Sequence, residues 1–226
     1  MSRLIAGDWR SIAFPDGGAL TARFQEAWIE ALPPGVHSEN ANIHPKAVFA
    51  MPLACYPRTL LCEVETVRDP EYLSIAAFLY GPFGVRLIDG NSTMIHDLNF
   101  LEGILLETPE QAAAYGRFFC SAVHGEQGRF EVIEAETQLG SSRIAATSLQ
   151  RIGAMTAHPN GDRWQLSGVV RYADALFAAT FGLDREGLLV MEDEQPLEAL
   201  EGHRAERFEA PFRLIAFPAS EDGGAA

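Results

Sequence analysis

Lysine is almost missing from this chain, and acidic residues outnumber basic ones. Lys46 is the only lysine among 17 basic residues, there are 31 acidic residues, and the net charge is −14. An acidic surface disfavours the phosphate backbone of nucleic acids, which proteins bind through clustered Lys and Arg. We therefore expect no nucleic-acid partner, and we expect any charged protein partner to be basic.

Long apolar runs and cysteines are also scarce. No run approaches the ~18 apolar residues that span a bilayer, and residues 1–14 contain Asp8 where a secretory signal would be continuously apolar. Cys55, Cys62 and Cys120 make an odd count, which does not suit a disulfide framework. The dominance of arginine is typical of a GC-rich bacterial genome. We therefore predict a bacterial, cytoplasmic protein with reduced thiols and no membrane segment.

Motifs of known chemistry are absent as well. The sequence contains no GxxxxGK[ST] and no GxSxG, and its glycine pair at 17–18 lacks the context of a dinucleotide fold. His37, Glu39 and His44 share a polar loop, but their spacing matches no familiar metal-ligand pattern. We therefore expect no cofactor and no metal.

The segments that are present predict a mainly antiparallel sheet. Alternating apolar and polar residues indicate hairpins near 47–89 and a four-stranded meander at 151–192, in which Asn160-Gly161 is a strong hairpin turn. Tyr56-Pro57-Arg58-Thr59 is predicted as the first hairpin turn. Along 60–67, Glu63 and Glu65 face away from the apolar residues.

Two helices are predicted to cover this sheet. Apolar residues recur at helical spacing over 20–32, and the segment 108–124 begins with Thr108 and Gln111, which form a capping box. Phe119 lies in the apolar stripe of the second helix, and Gly125 is expected to end it in a left-handed conformation. Shorter elements are expected at 196–207, as a helix, and near 211–217, as a strand.

The predicted fold class is therefore α+β. An apolar fraction of 47% in 226 residues is ordinary for one globular domain with a core. We predict a single domain over 1–217 and a mobile tail over 218–226.

The stretch GNSTMIHDLNF, at 90–100, crowds polar, hydrogen-bonding side chains together just after Asp89. One interpretation is a catalytic or ligand site built from His96, Asp97 and Asn99, with His96 as a general base. The other is architectural: a turn, a cap at Ser92 or Thr93, and a short helix. We favour the architectural interpretation.

Two further groups of polar residues each have two interpretations. Cys120 and His124 are four residues apart on a predicted helix, and they form either a nucleophile pair or, as we expect, a buried thiol and a helix-end histidine. The acidic run over 192–209 is either a solvated face or a docking surface for a basic partner.

These observations predict a non-catalytic interaction or regulatory module, whose partner is a second copy of the chain or a basic protein. The alternative is a small-molecule enzyme or ligand-binding protein with its site at His96, Asp97 and Asn99.

Overall fold

The computed structural model describes residues 3–12, 26, 29–30, 46–69, 72–140, 142, 144–200, 206–209 and 211–216. Of the helix predicted over 20–32, the described residues are Glu26, Ile29 and Glu30, and all three are helical. The rest of that helix, the loop with His37 and His44, and the tail at 218–226 lie outside the described residues.

Antiparallel strands make up most of the structure. In chain order they are β1 Arg10–Ser11, β2 Ala47–Leu53, β3 Tyr56–Asp69, β4 Tyr72–Gly81, β5 Gly84–Leu87, β6 His124–Gly125, β7 Gly128–Arg129, β8 Glu131–Val132, β9 Thr156–Asn160, β10 Arg163–Tyr172, β11 Ala175–Leu183, β12 Leu189–Ala199, β13 Glu206–Glu209 and β14 Phe212–Ala216. They form two large sheets and a ribbon of β6 with β7.

The first sheet has the order β1-β2-β3-β4-β14-β13, and β5 pairs with the edge of β4 that β14 also uses. Every residue from Leu73 to Leu79 in β4 is buried. Because successive side chains point to opposite faces, both faces of the sheet are covered at this central strand. One face carries Val64 and Phe78, and the opposite face carries Leu61 and Leu79 in a larger core.

The second sheet has the order β12-β11-β10-β8, and β9 pairs with the same edge of β10 as β8. The four strands expected at 151–192 are present as β9 to β12. Leu166 and Val170 of β10 belong to the larger core, as their alternation predicted. The prediction of a helix at 196–207 is wrong for the part of this segment that the structure describes. There, β12 continues to pair with β11 as far as Ala199.

Three α-helices are described beyond residue 30: α1 Ser92–Glu102, α2 Pro109–Ala122 and α3 Ala146–Leu149, with a 3₁₀ helix at Glu136–Leu139. The capping box of α2 is confirmed, since Thr108 Oγ1 accepts from the Gln111 amide at 3.3 Å and Gln111 Oε1 accepts from the Thr108 amide at 3.1 Å. Gly125 is not left-handed, contrary to expectation; it pairs in the β6–β7 ribbon. Within the described residues, no helix is long and apolar enough to cross a membrane.

The expected α+β fold, with helices covering a sheet, is wrong. Strands take up 49% of the structure and helices 21%, which is closer to an all-β protein. The helix α2 does not cover a sheet from outside but lies between the two sheets. Phe118 meets the ring of Tyr56 from β3 at 6.1 Å between centroids, and a Cβ on Gly116 would come within 2.6 Å of Leu166 of β10. Phe118 is fully buried, whereas Phe119, named from the sequence, is only partly buried.

Of two hairpin turns predicted from the sequence, one is present near the expected place and one is not. Gly161 has φ +65°, as predicted, although the pairing of Asn160 with Arg163 makes Gly161 and Asp162 the turn residues. The turn predicted at 56–59 is wrong. Leu53 pairs with Tyr56, so the chain turns at Ala54-Cys55 and Pro57 lies within β3.

Candidate functional site

The polar segment that precedes α1 turns the chain and starts the helix. The Asp89 carboxylate accepts a hydrogen bond from the Asn91 amide at 2.9 Å. Asn91 Oδ1 in turn accepts from the Thr93 amide at 2.9 Å, so Asn91 is the N-cap. The turn and the helix are as predicted, but the cap assignment to Ser92 or Thr93 is wrong. Asn91, the residue before them, accepts the hydrogen bond from a free amide of the first helical turn.

The three predicted site residues have different surroundings on α1. Asp97 is exposed. His96 is half-buried against Phe119 of α2, with 5.7 Å between ring centroids. Asn99 is buried, with 6% of its surface exposed. Adjacent side chains on a helix diverge by about 100°, which separates His96 from Asp97.

Asn99 is the centre of a buried hydrogen-bond network. Its Oδ1 accepts from the hydroxyl of Tyr56. Its Nδ2 donates to the Tyr115 hydroxyl at 2.9 Å and to the Glu186 carbonyl at 3.2 Å. The Tyr115 hydroxyl donates to the Gly187 carbonyl at 2.7 Å. This network, named the Asn99 network below, ties α1 to β3, to α2 and to the β11–β12 turn.

The polar groups of the Asn99 network are hydrogen-bonded to one another and to backbone carbonyls. Burial raises the pKa of both Tyr56 and Tyr115, so both hydroxyls stay protonated and can donate. The amide oxygen of Asn99 has one donor, and each of its two amide hydrogens has an acceptor. The side chain of Asn99 therefore holds elements together and has little capacity left to bind a substrate.

A second polar assembly lies between the sheets, and sequence reasoning missed it. This charged cluster consists of Arg3, Glu63, Glu65, Arg129, Glu131, Glu206 and Arg213. Glu63 is fully buried; it accepts from Arg3 at 3.0 Å, from Arg213, and from the Leu4 amide at 2.7 Å. The alternation predicted correctly that Glu63 and Glu65 face away from Cys62 and Val64, but the face they occupy is buried as well.

Arg129 joins Glu206, late in the chain, to the backbone of Leu4 near its start. It is 1% exposed, and its guanidinium binds Glu206 in a fork, with Nε–Oε1 at 2.8 Å and Nη2–Oε2 at 3.1 Å. Its Nη1 donates to the Leu4 carbonyl at 2.6 Å. Burial by itself would lower the pKa of Arg129, but the carboxylates of Glu206 and Glu131 outweigh it and raise that pKa. Because these partners come from distant parts of the chain, no local sequence motif indicates them.

A cleft of about 850 Å³ adjoins the charged cluster. Its wall includes the β6–β7 ribbon, the Ala173-Asp174 turn and β13, and the ring of His124 packs on Phe208 with 3.9 Å between centroids. Arg129 and Glu206, which reach this wall, already bind each other. The cleft therefore has a mixed polar and apolar lining, and its most buried charges already pair with each other.

The surroundings of the three cysteines disfavour a nucleophilic role. All three are free and buried, and burial raises the pKa of the Cys120 thiol to about 12, which keeps it protonated at neutral pH. A Cys120–His124 nucleophile pair is disfavoured on this ground. Within the described part of the chain, no three His, Cys, Asp or Glu side chains are grouped so as to hold a metal ion.

Among the described residues, the most exposed large apolar side chain belongs to Phe100, which immediately follows Asn99. Phe100 is 89% exposed, and Leu101 beside it is 42% exposed. Asn99 binds the carbonyl of Glu186, and two residues further on Leu188 is 52% exposed. The Asn99 network thus places the outer side of α1 and the start of β12 at the same end of the molecule. The Phe100 surface, as we name it, comprises Phe100, Leu101 and Leu188. Val190 and Met191, further along β12, are also exposed but point to opposite faces of the strand.

Comparison with models of known protein families, with curated proteins and with solved structures finds no match. Among the features of this structure, the Asn99 network and the ion pairs of the charged cluster are directed inwards. The Phe100 surface is directed outwards and is built on a helix that the Asn99 network holds in place.

Proposed function

We propose that the protein is a non-catalytic interaction module, which binds a basic protein partner through the Phe100 surface and the acidic residues that follow it on β12. The observation that carries this proposal is the 89% exposure of Phe100 on a helix anchored by the Asn99 network. Burying a phenylalanine side chain contributes about 1.5–3 kcal/mol. A rigidly presented aromatic residue is typical of the residues that dominate binding energy at interfaces.

The neighbouring charge favours a basic partner over a second copy of the chain. Glu192, Asp193 and Glu194 are exposed on β12, directly after the apolar Val190 and Met191. A two-fold contact through this surface would use the same patch on both copies and bring like charges together. A partner with Lys or Arg beside an apolar patch would instead be attracted by it.

The rival function is a small-molecule enzyme or ligand-binding protein at His96, Asp97 and Asn99. The side chain of Asn99 is occupied by Tyr56, Tyr115 and a backbone carbonyl, and His96 packs on Phe119. This arrangement favours an architectural role for the segment. We also propose that the protein works in the bacterial cytoplasm, in keeping with three free, buried cysteines.

The test compares surface variants in binding. Partners captured on the purified chain from a bacterial lysate are identified, purified and titrated by calorimetry. We expect Phe100→Asp and Leu188→Asp to weaken binding by roughly tenfold or more each, since hot-spot truncations cost about 2 kcal/mol or more. The matched control is Phe83→Asp, which changes a 41% exposed aromatic in the β4–β5 turn and should leave affinity unchanged.

Charge and self-association complete the test. Glu192→Lys with Asp193→Lys should slow association and weaken its dependence on salt. Light scattering should show the wild type as a monomer. A wild-type dimer that Phe100→Asp dissociates would make a second copy the occupant. A metabolite turnover that His96→Ala abolishes would replace the interaction module by the enzyme.

A further inference from the structure

A buried carboxylate lies at the end of α1, on the residue that follows Leu101. The side chain of Glu102 is only 2% exposed, and neither of its oxygens takes part in a hydrogen bond within the described structure. Its nearest cation is Nη2 of Arg58, 3.7 Å from Oε2, which is too far for a hydrogen bond. The Arg58 side chain is itself 59% exposed, so it remains largely in solvent.

A buried hydroxyl shares this place. Thr59 is 3% exposed, and its Oγ1 likewise makes no hydrogen bond within the described residues. Three oxygens surround the point where a Cβ on Gly81 would lie: Thr59 Oγ1 at 2.5 Å, the Arg58 carbonyl at 3.2 Å and Glu102 Oε1 at 3.3 Å. The absence of a side chain on Gly81 keeps this oxygen-lined space between β3, β4 and α1 open.

Such an arrangement is costly unless something binds to it. A buried carboxylate without donors loses its hydration and gains no replacement, and buried polar atoms without a partner are rare in native proteins. Here two such side chains face one space together with a backbone carbonyl. Carboxylate, hydroxyl and carbonyl oxygens are the donors that hard cations prefer, while softer metals favour thiolate and imidazole.

We infer that Glu102, Thr59 and the Arg58 carbonyl form a binding site for a hard metal cation, with Ca²⁺ as the preferred ion. Ca²⁺ accepts irregular sets of protein oxygens completed by water, whereas Mg²⁺ requires near-octahedral geometry. The site joins the end of α1 to the ends of β3 and β4. It is independent of the proposed docking function, because it shares no residue with the Phe100 surface.

Thermal unfolding of the full chain tests the site directly. Melting curves are recorded at constant ionic strength with CaCl₂, MgCl₂ or KCl, and binding is measured by calorimetry. We expect one Ca²⁺ per chain and a Tm increase of roughly 3–6 °C at ten times the Kd. A smaller increase is expected with MgCl₂. No Tm shift with any of the three salts would overturn the proposal and leave water as the partner of these oxygens.

Four variants assign the effect to this site. Glu102→Gln and Thr59→Val should each weaken Ca²⁺ binding by roughly tenfold or more, since even outer-shell groups have effects of that size. The control Glu107→Gln changes an exposed carboxylate nearby and should bind Ca²⁺ as the wild type does. Arg58→Gln should bind Ca²⁺ more tightly, because it removes a competing positive charge.

The direction of the Arg58→Gln effect separates a metal site from a simple ion pair. If Arg58 is only the structural partner of Glu102, its removal lowers Tm and Ca²⁺ does not restore it, which contradicts the proposal. Should Glu102→Gln fail to fold, Thr59→Val and Arg58→Gln still decide the question, since their effects on Ca²⁺ affinity have opposite signs.

Discussion

The two large sheets share a layout but differ in what surrounds them. Each has a central strand with a long partner on one side and two short partners on the other: β4 lies between β3 and the pair β14 and β5, and β10 lies between β11 and the pair β9 and β8. All residues from Leu73 to Leu79 on β4 are buried. On β10, buried Leu166 stands between the half-buried Gln165 and Ser167.

This difference decides how each sheet carries charge. The second sheet keeps its polar face partly in water, and its Arg163–Glu192 pair is 3.6 Å apart with side chains 53% and 33% exposed. The centre of the first sheet has no such face, so Glu63 and Glu65 on β3 are neutralised by arginines inside the protein. The polar face of an alternating strand can therefore be either partly solvated or buried. The residues of the strand do not by themselves specify which.

The largest effect should come from breaking the charged cluster of the first sheet. Arg213→Met removes the guanidinium that binds buried Glu63 and Glu206, and we expect unfolding to become easier by about 3–5 kcal/mol, because charges are left buried with fewer partners. The matched change in the second sheet, Arg163→Met, should cost less than about 1 kcal/mol. Urea unfolding measures both, and equal effects would remove the distinction between the sheets.

The helix between the sheets should couple them. Phe118→Ala removes a fully buried ring that meets Tyr56 of the first sheet, at a cost of about 3 kcal/mol or more. Phe119→Ala should cost clearly less, since Phe119 is only partly buried. Calorimetry should show one unfolding transition in both variants. Separate transitions for the two sheets would mean that α2 does not join their cores.

The Asn99 network should contribute a smaller coupling. Tyr115→Phe leaves the Gly187 carbonyl and one Asn99 hydrogen without their partner, and we expect a loss of about 1–3 kcal/mol. Hydrogen exchange should show increased opening at the β11–β12 turn and in α1, and little change in the first sheet. Unchanged exchange at both places would contradict the role given to this network.

The smallest effect should come from a turn of the second sheet. Gly161 has φ +65°, which a β-branched residue resists, so Gly161→Val should cost about 1 kcal/mol or more in unfolding free energy. Asp162→Val, at the next turn position and without a positive φ, is the control and should cost less. A Gly161→Val protein as stable as the control would show that this turn tolerates the strain.

The sequence predicted the second sheet better than the first. Polar residues alternate with apolar ones along β10 because one side of that strand is partly solvated, and Gly161 marks the turn before it. In the first hairpin, Pro57 indicated a turn that the structure places at Ala54-Cys55. A proline is compatible with a strand when its missing donor is not needed, and this depends on pairing that the local sequence does not reveal.

The candidate sites were predictable only in part. The segment at 90–100 was singled out for its polar residues, and it does contain Asn99, but Phe100 beside it was overlooked. The exposure of Phe100 depends on which face of α1 is buried, and that face is formed by Ile95, Leu98 and Asn99. Thr59 and Glu102 are 43 positions apart in sequence, so their meeting beside Gly81 has no local signal.

The sequence by itself determined the local features: the capping box at Thr108, the left-handed turn at Gly161, the alternation of the strands and three cysteines that remain unpaired. These depend on residues close together in the chain, whose backbone preferences act wherever the segment is placed. Only the tertiary structure decided that α2 lies between two sheets, that Glu63 is buried and that Phe100 is exposed. Burial is a property of the surroundings, and distant segments supply those surroundings.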